Sequence, residues 1–167
     1  MKSEQSLLEE IAAQLREKKL YLATAESCTG GLLGHLITNL PGSSDYYLGG
    51  HIAYSNLAKQ RWLDVPADIL ETFGAVSRET VLAMAFGIRQ TFADKIFPES
   101  IIGFSISGIA GPSGGTPNKP IGTVWLGLSA AAFEGSYHFL FGGTRAEIKD
   151  QSAMQALEIL AEGIPEL

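Results

Sequence analysis

Six consecutive residues, Glu26-Ser27-Cys28-Thr29-Gly30-Gly31, combine a carboxylate, two hydroxyls and a thiol with two glycines. A helix that starts just after small residues presents free N–H groups and the positive end of its dipole, which suits a phosphate or a developing oxyanion. Ser27, Thr29, Gly30 and Gly31 fit that role. The same residues fit a plainer one, in which Ser27 or Thr29 caps the helix and the glycines let it pack closely, and the pattern alone supports both. It is neither a phosphate-binding Gly-Lys-Ser/Thr loop nor a dinucleotide fingerprint.

A serine nucleophile needs a base. The histidines are His35, His51 and His138, and none has flanking residues that mark it. A buried lysine, its pKa lowered from about 10.4 towards 7 to 8, can serve instead. Lys59, four residues after Ser55, is the candidate, although a lone lysine taken by itself reads as solvated. Cys28 is intrinsically the stronger nucleophile, but neighbours on a tight turn do not both point into one crevice, and Cys28 reads as a buried structural residue. No HxxxH motif or clustered carboxylates are present, so no metal and no cofactor is expected; Asp64, Asp68 and Glu71 read as a solvated connection.

The elements that must position these groups follow from periodicity. Leu7, Leu8, Ile11, Ala12 and Leu15 predict an amphipathic helix over Ser3 to Lys18. Leu20 to Ala25 is a short apolar run, and helical spacing resumes at Leu32, Leu33, Leu36 and Ile37, giving strand, turn, helix. Tyr46 to Ser55 reads as a strand with a bend or bulge at Gly49-Gly50. A short helix is expected over Asn56 to Leu63, and one capped by Ser77 running to about Lys95. Ser100 to Ser107 reads as a strand, Ile121 to Ala130 and Ser136 to Phe141 as a hairpin, and Arg145 to Ala161 as a closing helix. Between them, Gly108 to Pro120 has four Gly and three Pro in thirteen residues, the composition of a functional loop. The order implies a three-layer α/β/α sandwich with a mixed, mostly parallel sheet of about five or six strands. Ser27 and the loop after Ser107 then lie at strand C-termini, facing one crevice.

Bulk properties bound the function. The 167 residues, 46% hydrophobic with a net charge of −6, suit one globular domain. With no basic face, nucleic acid is not an expected partner. Apolar stretches fall well short of the roughly 20 residues of a membrane span, no signal peptide is read at the start, and the single cysteine leaves no internal disulfide. A cytoplasmic location is expected.

Four motifs, Ala23 to Gly31, Gly49 to Lys59, Gly74 to Ser77, and Gly108-Ile109-Ala110-Gly111-Pro112 through Gly122-Thr123-Val124, together resemble the CinA C-terminal domain family, in the family's order and over about Leu7 to Leu160. Its stand-alone members include nicotinamide-nucleotide amidase. The resemblance implies hydrolysis of the carboxamide of nicotinamide mononucleotide, with Ser27 as nucleophile, Lys59 as its base and Tyr54 close by. Thr29, Gly30 and Gly31 would serve the oxyanion. Ser107, Gly108, Gly111, Gly114, Gly115, Thr116 and Arg145 would line the substrate site, the Gly111 to Thr116 backbone and Arg145 being candidate phosphate donors. It also implies a homo-oligomer, with apolar surface near the late hairpin as candidate interface. The alternatives are a nucleotide-binding or regulatory module of the same fold without turnover, and an amidase acting on another amide. Two departures stand out: Ser107-Gly108 where the family has Thr-Gly, and Gly143-Thr144-Arg145 where it usually has Gly-Asp-Arg, which puts the orientation of Arg145 in question.

Overall fold

The computed structural model describes residues 2–167. Five strands, β1 (Tyr21–Glu26), β2 (Tyr47–Ile52), β3 (Ile101–Gly108), β4 (Thr123–Ser129) and β5 (Glu134–Leu140), form one sheet in the order β2-β1-β3-β4-β5. β1 pairs in parallel with both β2 and β3, whereas β3 with β4 and β4 with β5 are antiparallel. The sheet is therefore mixed, with pairings of both kinds in equal number. A register shift between Leu22 and Ala23 leaves Leu48 as the bulged residue of β2, one position before the expected Gly49-Gly50.

Helices α1 (Glu4–Lys18), α2 (Leu32–Asn39) and α6 (Arg145–Gly163) cover one face; α3 (Asn56–Leu63), α4 (Ala67–Phe73) and α5 (Arg78–Gln90) cover the other. Strand alternation assigns the sides. Leu22, Ile102, Phe104 and Ile106 pack against the first group with Leu8, Ile11, Leu33 and Leu157, while Ala23 and Ala25 meet Leu63, Met84 and Ile88 of the second. The small residues of β3 and β4 let α5 lie close. A Cβ on Gly103 would fall 2.0 Å from the Ala85 carbonyl oxygen, and Ser105 donates to the Val81 carbonyl at 2.6 Å.

Three boundaries differ from the sequence expectation. Asp64 to Glu71 is not simply a connection. Pro66 opens α4, which buries Leu70 and turns its acids outward, and Asp64 sits in the left-handed region as the cap that ends α3. α5 stops at Gln90, with Thr91 to Lys95 as turns. β5 begins at Glu134, two residues earlier than its apolar character suggests. Among the described residues no helix is long and apolar enough to cross a membrane.

Candidate active site

β1 delivers the nucleophile candidate. The Ser27 N–H donates to the Ile106 carbonyl at 2.9 Å, extending the ladder one residue beyond the strand, and the chain then turns through Gly30 and Gly31, both at positive φ (62° and 99°). What caps α2 is neither Ser27 nor Thr29 but Glu26. Its buried carboxylate accepts from the Thr29 hydroxyl (2.7 Å) and from the N–H groups of Gly31 (3.1 Å), Leu33 (3.0 Å) and Gly34 (2.8 Å). Gly30 in turn donates to the Ser27 carbonyl at 3.0 Å. The expectation that Gly30 and Gly31 offer amides to an oxyanion is thereby corrected, because those protons are already engaged. The Thr29 N–H has no acceptor among the described residues, whereas that of Cys28 faces its own sulfur.

The lysine reaches the same point from β2. Ser55 caps α3, accepting from the Ala58 N–H at 3.1 Å, and Lys59 extends inward from the first turn, only 1% exposed. Its Nζ lies 3.0 Å from Ser27 Oγ, 2.9 Å from the Ala53 carbonyl oxygen and 3.1 Å from that of Tyr54. No carboxylate pairs with it among the described residues. Burial without a counter-ion disfavours the ammonium, and the Lys59 pKa falls from 10.5 to about 8. Its surroundings suit both protonation states. The ammonium donates to all three acceptors, whereas the neutral amine can give its two protons to the carbonyls and turn its lone pair to the Ser27 hydroxyl.

Cys28 is buried and its thiol is pushed up to about 11, chiefly by desolvation, so it stays a thiol at neutral pH. A Cβ on Gly108 would come 3.1 Å from its sulfur and 2.7 Å from Val124; Gly108 thus serves close packing behind the turn. Of the histidines, His51 packs edge-on to Trp62 and His138 stacks on Trp125, and none hydrogen-bonds Ser27 or Lys59 among the described residues.

The other expected residues divide. Tyr54 enters through its backbone: its carbonyl oxygen is 3.5 Å from Ser27 Oγ and accepts from Lys59, while its exposed phenol accepts from Arg145 Nη2 at 2.9 Å. Arg145 also donates through Nη1 to the Gly111 carbonyl at 2.7 Å, bridging the segment after β2 to the glycine-rich loop. Ser107 is withdrawn from the substrate set, since its buried hydroxyl donates to the Ala75 carbonyl at 2.7 Å and ties Gly74 to Ser77 onto the end of β3. The Thr116 N–H donates to the Lys119 carbonyl at 2.8 Å, which removes it as a phosphate donor. Gly111 and Gly114 adopt positive φ (78° and 93°), and Gly115 packs where a Cβ would lie 2.9 Å from the Ile121 nitrogen. Thr144 stands where the resemblance implies an aspartate. It caps α6 in a reciprocal capping box with Glu147, and Arg145 keeps its two partners.

Two residues were missed. Glu26 lies six positions ahead of Leu32, where the helix it caps begins, outside the window in which capping residues are sought. Lys149 lies one helical turn beyond Arg145, and its Nζ would be 3.8 Å from a Cβ placed on Gly30; the four-residue spacing of two cations was its only sequence signal.

A buried serine–lysine pair, with Ser27 directly after β1 and Lys59 on the helix that follows β2, marks the candidate site of this α/β protein. The family model for the CinA C-terminal domain matches residues 4–164, and the chain belongs to that family. It is 45% identical over 157 residues to a CinA-like protein of Syntrophotalea carbinolica (94% of this chain, 37% of the relative) and 43% identical over 167 residues to a CinA-like protein of Thermotoga neapolitana (98% and 38%). The chain thus spans little more than a third of the curated relatives it matches. Among solved structures, a competence-damaged protein (CinA) superfamily protein of Klebsiella pneumoniae superposes with a TM-score of 0.90 at 31% identity, covering 99% of this chain and 100% of the other. A competence/damage inducible protein of Agrobacterium tumefaciens gives 0.83 at 34% identity, with 97% and 96% covered.

Proposed function

We propose that this protein is an amidohydrolase that converts the carboxamide of nicotinamide mononucleotide to the carboxylate, releasing ammonia and leaving nicotinate mononucleotide. The observation that carries the reading is Lys59 Nζ at 3.0 Å from Ser27 Oγ with its pKa brought down to about 8, the geometry and proton affinity a general base requires. In the proposed sequence neutral Lys59 takes the Ser27 proton as Oγ attacks the amide carbon. The Thr29 N–H stabilises the oxyanion, in place of the Gly30 and Gly31 amides, which the Ser27 carbonyl and the Glu26 carboxylate occupy. Protonated Lys59 then gives its proton to the departing nitrogen, ammonia leaves, and water, deprotonated by the same amine, releases the acid from the Ser27 ester.

The alternative of a turnover-free binding module is motivated by the loss of a carboxylate at position 144; what supports the catalytic reading over it is that Arg145 is held by Gly111 and Tyr54 and that Thr144 caps α6. Incubating the purified protein with nicotinamide mononucleotide and following ammonia together with nicotinate mononucleotide tests the proposal. Release that disappears in Ser27→Ala is expected. Tight binding without product at high enzyme concentration would refute catalysis, and faster turnover of another amide would refute the substrate.

A further inference from the structure

Helix α5 carries apolar residues on two sides. Val81, Met84, Ala85 and Ile88 are fully buried on the side that meets the sheet, as the inner stripe of a covering helix must be. A second stripe, Glu79, Leu82, Ala83, Phe86, Gly87 and Gln90, advances by threes and fours along the same helix and floors a groove of about 380 Å³. It extends over about 16 Å, three helical turns. Leu63, Pro66 and Ile69, from the end of α3 and from α4, complete the apolar lining. Phe86, in the middle of the stripe, is left 48% exposed. Residues at such spacings form the ridges against which a further helix packs.

The charge around this groove is one-sided. Asp64, Glu79 and Glu134 stand on its lining and no lysine or arginine does; none of the three carboxylates is in an ion pair among the described residues. Arg78, the cation next to Glu79, is turned to the Ser136 hydroxyl at 3.3 Å. An apolar floor with a carboxylate rim discriminates among occupants by charge. A second copy docked about a two-fold axis would set this rim against an identical one, and an anionic lipid surface would be repelled. We propose that the groove is a docking site for a basic amphipathic helix of a partner protein, which lays its apolar ridge along Leu82 and Phe86 and sets lysines or arginines against Asp64, Glu79 and Glu134. No residue of the candidate active site lines the groove, so docking there does not depend on the amidase chemistry.

The probe is a fluorescein-labelled peptide of leucine and lysine, about 14 residues or four turns long with its leucines at helical spacing, set beside a shuffled peptide of the same composition. Fluorescence anisotropy should show saturable binding of the first to wild type, with the shuffled peptide and the Phe86→Gln variant each about tenfold weaker or more. The double variant Glu79→Gln/Glu134→Gln should bind about threefold more weakly, a loss that shrinks as salt is raised. Glu9→Gln/Glu17→Gln removes the same charge from α1, on the opposite face of the sheet, and should bind as wild type does. Unchanged far-UV circular dichroism shows that each variant keeps the fold. Failure of the helical peptide to bind overturns the site. So does equal binding of the two peptides or an equal loss in both double variants, since net charge alone would then account for the interaction. Undiminished affinity in Phe86→Gln overturns it as well. Saturable binding of octylammonium where neither peptide binds would assign the groove to a small amphiphilic cation instead of a helix.

Discussion

Replacing Lys59 by methionine keeps the length of the side chain and removes its titration, so the variant isolates what the buried amine contributes. With its pKa near 8 against 10.5 when exposed, Lys59 is neutral in about a tenth of molecules at pH 7 and in nearly all at pH 9.5. Turnover should therefore climb about tenfold over that interval and level off, with a midpoint near pH 8. Stability should climb too. Between pH 8 and 10.5 the unfolded chain binds a proton that the folded chain has lost, so unfolding becomes harder as pH rises. Integrating from pH 7 to pH 9.5 gives a gain of about 2 kcal/mol. Urea titrations of both proteins at the two pH values measure it. The difference in unfolding free energy, wild type minus Lys59→Met, should shift in favour of wild type by about 2 kcal/mol, while the variant's turnover falls by roughly 10³ or more. Parallel stability curves together with a flat pH–rate profile in wild type would show that Lys59 titrates normally and would remove it as the base.

Ser27→Ala should lose turnover by roughly 10³ or more while still binding substrate, read by single-turnover product assay and by ligand-induced thermal shift. Glu26→Ala strands the donors of Thr29, Gly31, Leu33 and Gly34, and chemical denaturation should show a loss of about 3 kcal/mol or more. Gly103→Ala drives a methyl into the Ala85 carbonyl and should cost about 3 kcal/mol by lifting α5 from the sheet, also read by denaturation. With its thiol buried and pushed up to about 11, Cys28 should resist alkylation in the folded protein at pH 8 and react once denatured, followed by intact mass.

The layers of the fold were legible because each rests on a strong local pattern. Leu22 to Ala25 is buried on both faces and reads as a continuous apolar run, and α5 carries the expected cap Ser77, whose hydroxyl accepts from the Thr80 N–H. α4 was not, since seven residues give too little periodicity and its acids face solvent as a loop's would. Within the site, residue types marked the turn at Ser27, but Lys59 lies 32 positions away and its burial depends on tertiary packing, so its position made it a candidate and only family resemblance favoured it over a solvated lysine. Glu26 escaped because its carboxylate folds back over the turn from the end of a strand. Ser107 was over-read, its hydroxyl satisfying the backbone of another loop.

The proposed nucleophile, the proposed base and the carbonyls that hold the base all lie between Tyr21 and Leu63, directly after β1, directly after β2 and on α3, whereas Arg145, which ties Tyr54 to the Gly111 loop, opens α6. The proposed chemistry and the proposed ligand contacts thus come from separate stretches of the chain that meet only when folded. On that reading, a library confined to the first turns of α6 and the Gly111 to Thr116 loop should change which amide is accepted without disturbing the serine–lysine pair.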